Sequence, residues 1–325
     1  MSSKNTVRIA MVGAGQMARI NHYPALASFD DVEFAGICDL DRAKLNEVGD
    51  QFEIEHRIEN VQKMVESTSP DGIYVIAWPH YVYDLWVWCL QQGLNLFVEK
   101  PLGLTQHHAD CLVHLAEVNQ CITQVGLQRR TCPLLVDVHR RCLEKGSITH
   151  TVCEFFKFQP GIYPTATGHW LDNGPHAVDT VRWACGGEVV HIESRCRRIN
   201  TPDINWVQAT LHFDNGSTGL IIFNFTSGKR IFRVQMHAPG ILVDADPEDG
   251  AMVYTENASD GQHITTQEAA SSDKPIDYKG HRAKDREFID SIKFGKEMTS
   301  SPFRDAHKTM TIVHSILAQD QLGRR

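Results

Sequence analysis

The sequence predicts an α/β protein in which an N-terminal Rossmann dinucleotide-binding domain precedes a C-terminal α/β domain with a large open, mainly antiparallel sheet. Three observations predict it. Short β-rich runs alternate with helix-patterned segments through the first third of the chain. A glycine-rich turn joins the first such run to the first helix. From about Thr149 the pattern changes to longer alternating runs separated by turn signals such as Asp214-Asn215-Gly216.

The first run, Val7 to Val12, reads as a buried strand, and Gly13, Gly15 and Ala18 form a GxGxxA turn into a helix near Gln16 to Ser28. Gly13 permits the tight turn, Gly15 lets backbone amides approach a pyrophosphate, and Ala18 allows close helix packing, with Gln16 and Met17 inside the same turn. The helix N-terminus then faces the phosphates. The second run ends in Asp39, 26 residues after Gly13, where a carboxylate accepts the ribose hydroxyls of an adenosine and repels a 2'-phosphate. This favours NAD over NADP. Arg42, three residues on, keeps NADP open, since a guanidinium accommodates that phosphate.

Further strands are expected at Val32 to Cys38, Gly72 to Ala77, Leu94 to Val98 and Cys121 to Leu127, with helices at Asp41 to Phe52, Val61 to Ser67, Tyr81 to Gln92 and Thr105 to Asn119. The later runs THTVCEFFKF, VVHIESRCRRI, WVQATLHF, TGLIIFNFT and RVQMHA predict the second sheet, fed by a helix after Gly174. In GLIIFNF apolar residues occupy both parities, so one face meets helices and the other is free for a partner subunit; a homodimer or homotetramer is expected. The segments Arg286 to Phe294 and Asp305 to Leu322 carry apolar residues at helical spacing, and polar Glu256 to Asp277 reads as a mobile loop. The expected division is 1–124 for cofactor binding and 125–325 for substrate binding and oligomerisation, with the C-terminal helices free to pack back on the first domain.

A content of 42% hydrophobic and 22% charged residues is that of a soluble globular protein. The net charge of -8 is spread without long acidic or basic runs, so neither nucleic acid nor an anionic membrane is an expected partner. The nine cysteines contain no CxxC pair, which argues against a disulfide framework or a zinc site. MSSKNT leads straight into the first strand, so no signal peptide is expected and the cysteines read as reduced thiols of a cytoplasmic protein.

Two clusters carry candidate chemistry. Glu99-Lys100-Pro101 follows the fourth strand, where ligands of an open α/β sheet bind; Lys100 is suited to polarise a substrate oxygen, and Pro101 to fix the turn through a cis bond. The second is His169 to Asp179, in which Pro175 suits the first helical position with Asn173 or Gly174 as cap. That reading puts His176 in a first turn, where the helix dipole disfavours imidazolium and leaves a base for a hydroxyl proton.

Together GAGQMA, the terminal Asp39, AWPH at Ala77 to His80, VEKPLG at Val98 to Gly103, VGLQRR at Val125 to Arg130 and DNGPHAVD at Asp172 to Asp179 resemble the Gfo/Idh/MocA oxidoreductases. This is the family of glucose-fructose oxidoreductase and inositol 2-dehydrogenase, and the resemblance spans nearly the whole chain. It implies NAD or NADP as hydride carrier and a small-molecule sugar, sugar derivative or cyclitol as substrate. It further implies Lys100, Asp172 and His176 as the catalytic group: His176 the base, Asp172 orienting it or binding a neighbouring hydroxyl, and Lys100 stabilising the alkoxide. Cofactor contacts extend by the same resemblance to Ala77, Trp78, Pro79, His80, Tyr83 and Glu99. Trp78 replaces the family's small polar residue and Tyr83 its histidine. Arg129 resembles a substrate-contacting arginine of inositol dehydrogenases, with Arg130 as the alternative; Tyr163 and Trp170, with His169, Lys157 and Gln159, offer aromatic surfaces and polar tips to a polyhydroxylated ring.

Two other readings share the resemblance. Some relatives are redox-neutral glycosidases, in which retained NAD oxidises C3 transiently and permits elimination. The yeast galactose-gene repressor shares the fold and senses rather than transforms; the presence of Lys100, Asp172 and His176 argues against a sensor.

Overall fold

The computed structural model describes residues 6–161 and 168–322. They form two compact units, Met1–Leu127 with His281–His307, and Gln128–Gly280 with Lys308–Arg325.

The first unit is built on five parallel strands, β1 (Val7–Val12), β2 (Val32–Cys38), β3 (Gly72–Val75), β4 (Asn95–Val98) and β5 (Thr123–Val125), in the order β2-β1-β3-β4-β5. Helices on both faces explain why β3 is apolar and buried throughout and β1 is so at every position but Arg8. The order reverses between β1 and β3, so the crevice beyond their carboxyl ends is where this topology places a ligand. His281–Phe294 supplies Phe288, Ile289 and Ile292 to the core around Ile9, Met11, Tyr74 and Phe97. Gly72 leaves room for this packing, since a Cβ there would lie 2.6 Å from the Ile292 Cδ1 methyl, which would have to shift.

The first helix departs from the regular one expected. Ala18–His22 is a π-helical turn continuing into the α-helical Tyr23–Ala27. The wider turn buries Ala18, Asn21 and His22 together, and such turns concentrate at functional sites.

The second unit holds eight strands: β6 (His150–Phe158), β7 (Val189–Arg197), β8 (Trp206–Phe213), β9 (Thr218–Asn224), β10 (Thr226–Ala238), β11 (Ile241–Asp246), β12 (Gly250–Thr255) and β13 (Gln262–Thr265). Their order is β13-β12-β11-β10-β6-β9-β8-β7, antiparallel except for the parallel pair β6 and β9. Strict alternation buries Cys153, Phe155, Ile221 and Phe223 beneath the helix Gly168–Cys185 and leaves Val152, Phe156, Leu220 and Ile222 half-exposed on the other face.

Two expectations are corrected. Glu256 to Asp277 is not a loop: β13 pairs with β12, and Thr266–Ala270 begins with a capping box in which Thr265 and Glu268 satisfy each other's backbone amides. The helix expected after Gly174 already runs from Gly168, so Pro175 is interior. An interior proline costs about 3 kcal/mol in an isolated helix; here the burial of Gly174, Pro175 and Ala177–Arg182 in the core of the unit offsets it. Among the described residues no helix is long and apolar enough to cross a membrane. All nine cysteines are free thiols, and all but Cys111 are buried.

Candidate active site

In the first unit the glycine-rich turn and Asp39 form one rigid piece. Ala14 N–H donates to Asp39 Oδ2 at 2.6 Å and Asp41 N–H to Oδ1 at 2.8 Å, so the carboxylate is aimed by backbone rather than by a flexible side-chain partner. Gly13 sits at φ +106°, and a Cβ on it would lie 2.4 Å from the Ile76 carbonyl oxygen. Gly15 differs. A Cβ there would meet nothing within 4 Å, so packing does not demand this glycine and the space over it suits a pyrophosphate. Ala18 is fully buried, as close helix packing requires. Met17, Leu40 and Trp78 stand exposed at the ends of β1, β2 and β3, an apolar edging suited to the rings of a dinucleotide. These residues fit the implied cofactor. Asp39→Ala is expected to lower the preference for NAD over NADP at least about tenfold, because a charged hydrogen bond to ribose is lost; titrations with both nucleotides check it, and an unchanged ratio would contradict the assignment.

Other expected contacts fall differently. Pro79 opens the helix Pro79–Gln91 with Trp78 as its cap, and Ala77 and His80 flank them, half-buried. Tyr83 lies on that helix but stacks on His108 at 3.9 Å, with its hydroxyl toward Cys111, so its ring packs between helices rather than standing at the strand ends. Arg42 pairs at the surface with Glu59 at 3.2 Å. The Lys100-Pro101 bond is cis, as expected. Glu99 is held by His22 at 3.2 Å and lies against Gly126, where a Cβ would come 2.5 Å from the carboxylate.

In the second unit, the helix Gly168–Cys185 is buried along its length except at Asp172, His176 and Trp183. Asp172 and His176 are four residues apart and therefore share a face, one turn from each other. Asn173 Nδ2 donates to Asp172 at 2.9 Å, and Asn173 Oδ1 accepts from Lys157 Nζ at 2.7 Å. Lys157 in turn lies over the Phe155 and Phe225 rings, at 4.8 and 4.9 Å, and Phe155 presents to His176 at 6.5 Å. A charged, hydrogen-bonded group thus stands on an aromatic floor. Asn173 was visible in the sequence only as a helix cap; its part in aiming Asp172 follows from an interior position that no local signal marked.

The helix start also corrects the account of His176. Two turns inside the helix, it does not feel an N-terminal dipole, and that reason for a neutral ring is withdrawn. Trp170 is another correction: it has no exposed surface, its indole N–H donates to Val313 O at 3.0 Å, and it packs on Phe223, so it belongs to the core and not to substrate. Gly174 exists for this ring, since a Cβ would lie 2.6 Å from it. Gly174→Ala is therefore expected to destabilise the protein by about 1–3 kcal/mol through overpacking, outweighing alanine's helix preference of about 1 kcal/mol; a denaturant midpoint at or above wild type would overturn this. His169 is likewise buried, bonded to Asp203 at 3.1 Å and to the Gln159 carbonyl at 3.0 Å.

Of the two arginines, Arg130 is committed to Asp179, with Nε to Oδ2 at 2.8 Å, and Asp179 also accepts from Thr309. Arg129 lies over Phe232 at 4.4 Å and 3.6 Å from Glu248. Tyr163 lies outside the described residues.

Comparison with known proteins agrees with this geometry. Residues 7–127 match the model described as an oxidoreductase family with an NAD-binding Rossmann fold, and residues 144–238 match the GFO/IDH/MocA C-terminal domain. A scyllo-inositol 2-dehydrogenase (NAD(+)) of Bacillus subtilis (strain 168) is 23% identical over 243 residues, 69% of each chain. A dehydrogenase from Chromobacterium violaceum superposes with a TM-score of 0.89 at 17% identity, covering 99% of this chain and 97% of its own. An oxidoreductase from Agrobacterium radiobacter, solved with NAD+, L-tartaric acid and magnesium, superposes with a TM-score of 0.84 at 18% identity, covering 98% and 97%. With both of its domain models matched in order, the chain belongs to the GFO/IDH/MocA family of oxidoreductases and carries that family's NAD-binding Rossmann domain.

Proposed function

We propose that the protein is an NAD-dependent dehydrogenase of a secondary alcohol on a sugar, sugar derivative or inositol. The observation that carries this reading is the Asp172 and His176 pair, opened on one face of an otherwise buried helix. A proton acceptor and a carboxylate side by side on one face, fixed by a buried helix, are what oxidation of an alcohol asks of the protein, since the hydroxyl proton must leave as the hydride does.

In this reading bound NAD supplies the acceptor for the hydride that leaves the carbinol carbon. His176 takes the hydroxyl proton as the C–O bond gains double-bond character. Asp172, aimed by Asn173 and through it by Lys157, orients His176 or binds a neighbouring hydroxyl. Lys100 stabilises negative charge on the reacting oxygen, and Arg129 contributes to substrate binding. Val152, Phe156, Leu220 and Ile222 make the open sheet face a homo-oligomer interface; a monomeric mass in light scattering would contradict that part.

The test is to denature the purified protein and quantify released nicotinamide nucleotide by mass spectrometry, then assay inositols and sugars with added NAD. Little retained cofactor and NADH formed in proportion to substrate support the dehydrogenase. Stoichiometric retained cofactor, with no net NADH and cleavage of a glycoside, would replace it by redox-neutral elimination.

A further inference from the structure

The buried cluster at His22 is not used by the mechanism above. His22 lies in the π-helical turn that follows the glycine-rich loop, with its side chain 2% exposed. Nδ1 is 2.9 Å from Asp285 Oδ1, and Nε2 is 3.2 Å from Glu99 Oε1. Asp285 is fully buried and Glu99 nearly so. A neutral imidazole donates through one nitrogen only, whereas ionised carboxylates only accept. Both contacts are satisfied together by an imidazolium.

Aromatic rings line the rest of the cluster. Tyr74 from β3 and Phe97 from β4 pack on the ring at 5.7 and 5.1 Å, and His281 from the same helix as Asp285 meets it edge-on at 6.2 Å. Tyr74 also faces Asp285, and Arg286 acts on Tyr74 from farther out. Burial by itself disfavours a charged ring, but the charges and hydrogen bonds of Asp285 and then Glu99 override it and hold His22 up at about 10.

We propose that His22 is a positioning residue: bonded at one nitrogen to Asp285 and at the other to Glu99, it fixes the Glu99 carboxylate at the end of β4 and with it the turn that carries Lys100. Three distant segments meet in this clamp: the helix after the glycine-rich loop, the loop after β4, and the late helix His281–Phe294. Gly126 completes it by leaving room for the carboxylate. The clamp ties the cofactor turn to the Lys100 turn inside one unit. Its catalytic consequence rests on the dehydrogenase reading; the clamp itself does not.

The direct test is nitrogen-15 NMR of histidine-labelled full-length protein without substrate, with the His22 signals assigned by their loss in His22→Gln or their displacement in Glu99→Gln. Both ring nitrogens are expected to remain protonated between about pH 6 and pH 9. A ring that titrates near the ordinary 6.5, or that carries one bare nitrogen at neutral pH, would overturn the clamp. Because the folded-state value is raised, the ring's contribution to stability is whole below about 6.5 and is lost as pH climbs through about 10.

Kinetics then test the consequence. His22→Gln and Glu99→Gln are each expected to lower kcat about 10- to 100-fold through a displaced Lys100 turn, and in His22→Gln, which leaves the Glu99 carboxylate in place, NAD affinity should stay within about threefold of wild type. The double variant should be no worse than the poorer single. Losses that multiply would show that His22 does not act through Glu99. Should no alcohol be oxidised by any form, the dehydrogenase reading fails while the NMR result still decides the clamp.

Discussion

His176→Ala is expected to lower kcat/KM for alcohol oxidation by about 10³-fold, the middle of the range for a lost general base, while NAD affinity stays within about twofold. The size follows from where the ring stands. It shares one open face of a mostly buried helix with Asp172, so no neighbouring histidine or lysine of that helix stands ready to accept the hydroxyl proton in its place. The fold should survive, because alanine is the best helix former and His176 is one of the few residues of this helix with exposed surface. NAD affinity should survive because the Gly15 cradle and Asp39 belong to the other unit. The check pairs steady-state kinetics with a nucleotide titration and a thermal melt. Native turnover would remove the base assignment, and a loss that tracked unfolding would make His176 structural.

Lys100→Met keeps an unbranched side chain one atom shorter and removes its charge. The expected loss is about 10²- to 10³-fold in kcat, the scale of deleting one donor to a developing oxyanion. KM should move less, since a neutral alcohol needs this charge only as negative charge grows on its oxygen. Lys100 follows Glu99, whose carboxylate is held by His22, so its backbone is set independently of its charge. A variant that lost only stability would contradict the polarising role. So would one that raised KM with kcat unchanged.

Much of this was legible from local chemistry. Gly13, Gly15 and Ala18 serve three different demands that the spacing announced, namely a positive φ, open space for a ligand and close packing. The strand and helix pattern of the first unit was legible because parallel strands covered on both faces are short, apolar and interrupted by amphipathic helices. The interior run of Gly168–Cys185 was not. Proline and glycine at 174–175 carry a strong local signal for a helix start, and it is overridden by burial against β6 and β9, with Trp170 occupying the space a Cβ at Gly174 would need. β11, β12 and β13 were missed for a related reason. On the less buried face β11 carries Asp244 and Asp246 and β13 carries His263, which mask alternation in short strands. Trp170 was misplaced because an aromatic beside a catalytic motif reads equally as ring-binding surface and as core. The partnership of His22 with Asp285 was beyond any local reading, since 263 residues separate them and only the return of the helix His281–Phe294 to the first unit brings them together.

The central claim is net hydride transfer from a carbinol carbon to NAD, with the proton taken by the protein. The measurement closest to it uses inositols and monosaccharides deuterated at their carbinol carbons, incubated with the protein and NAD, followed by mass spectrometry of the nucleotide. The account predicts that one of them yields NADH carrying the deuterium, together with the matching ketone, and that His176→Ala yields neither at a comparable rate. Cleavage of a deuterated glycoside with no labelled NADH accumulating would contradict it.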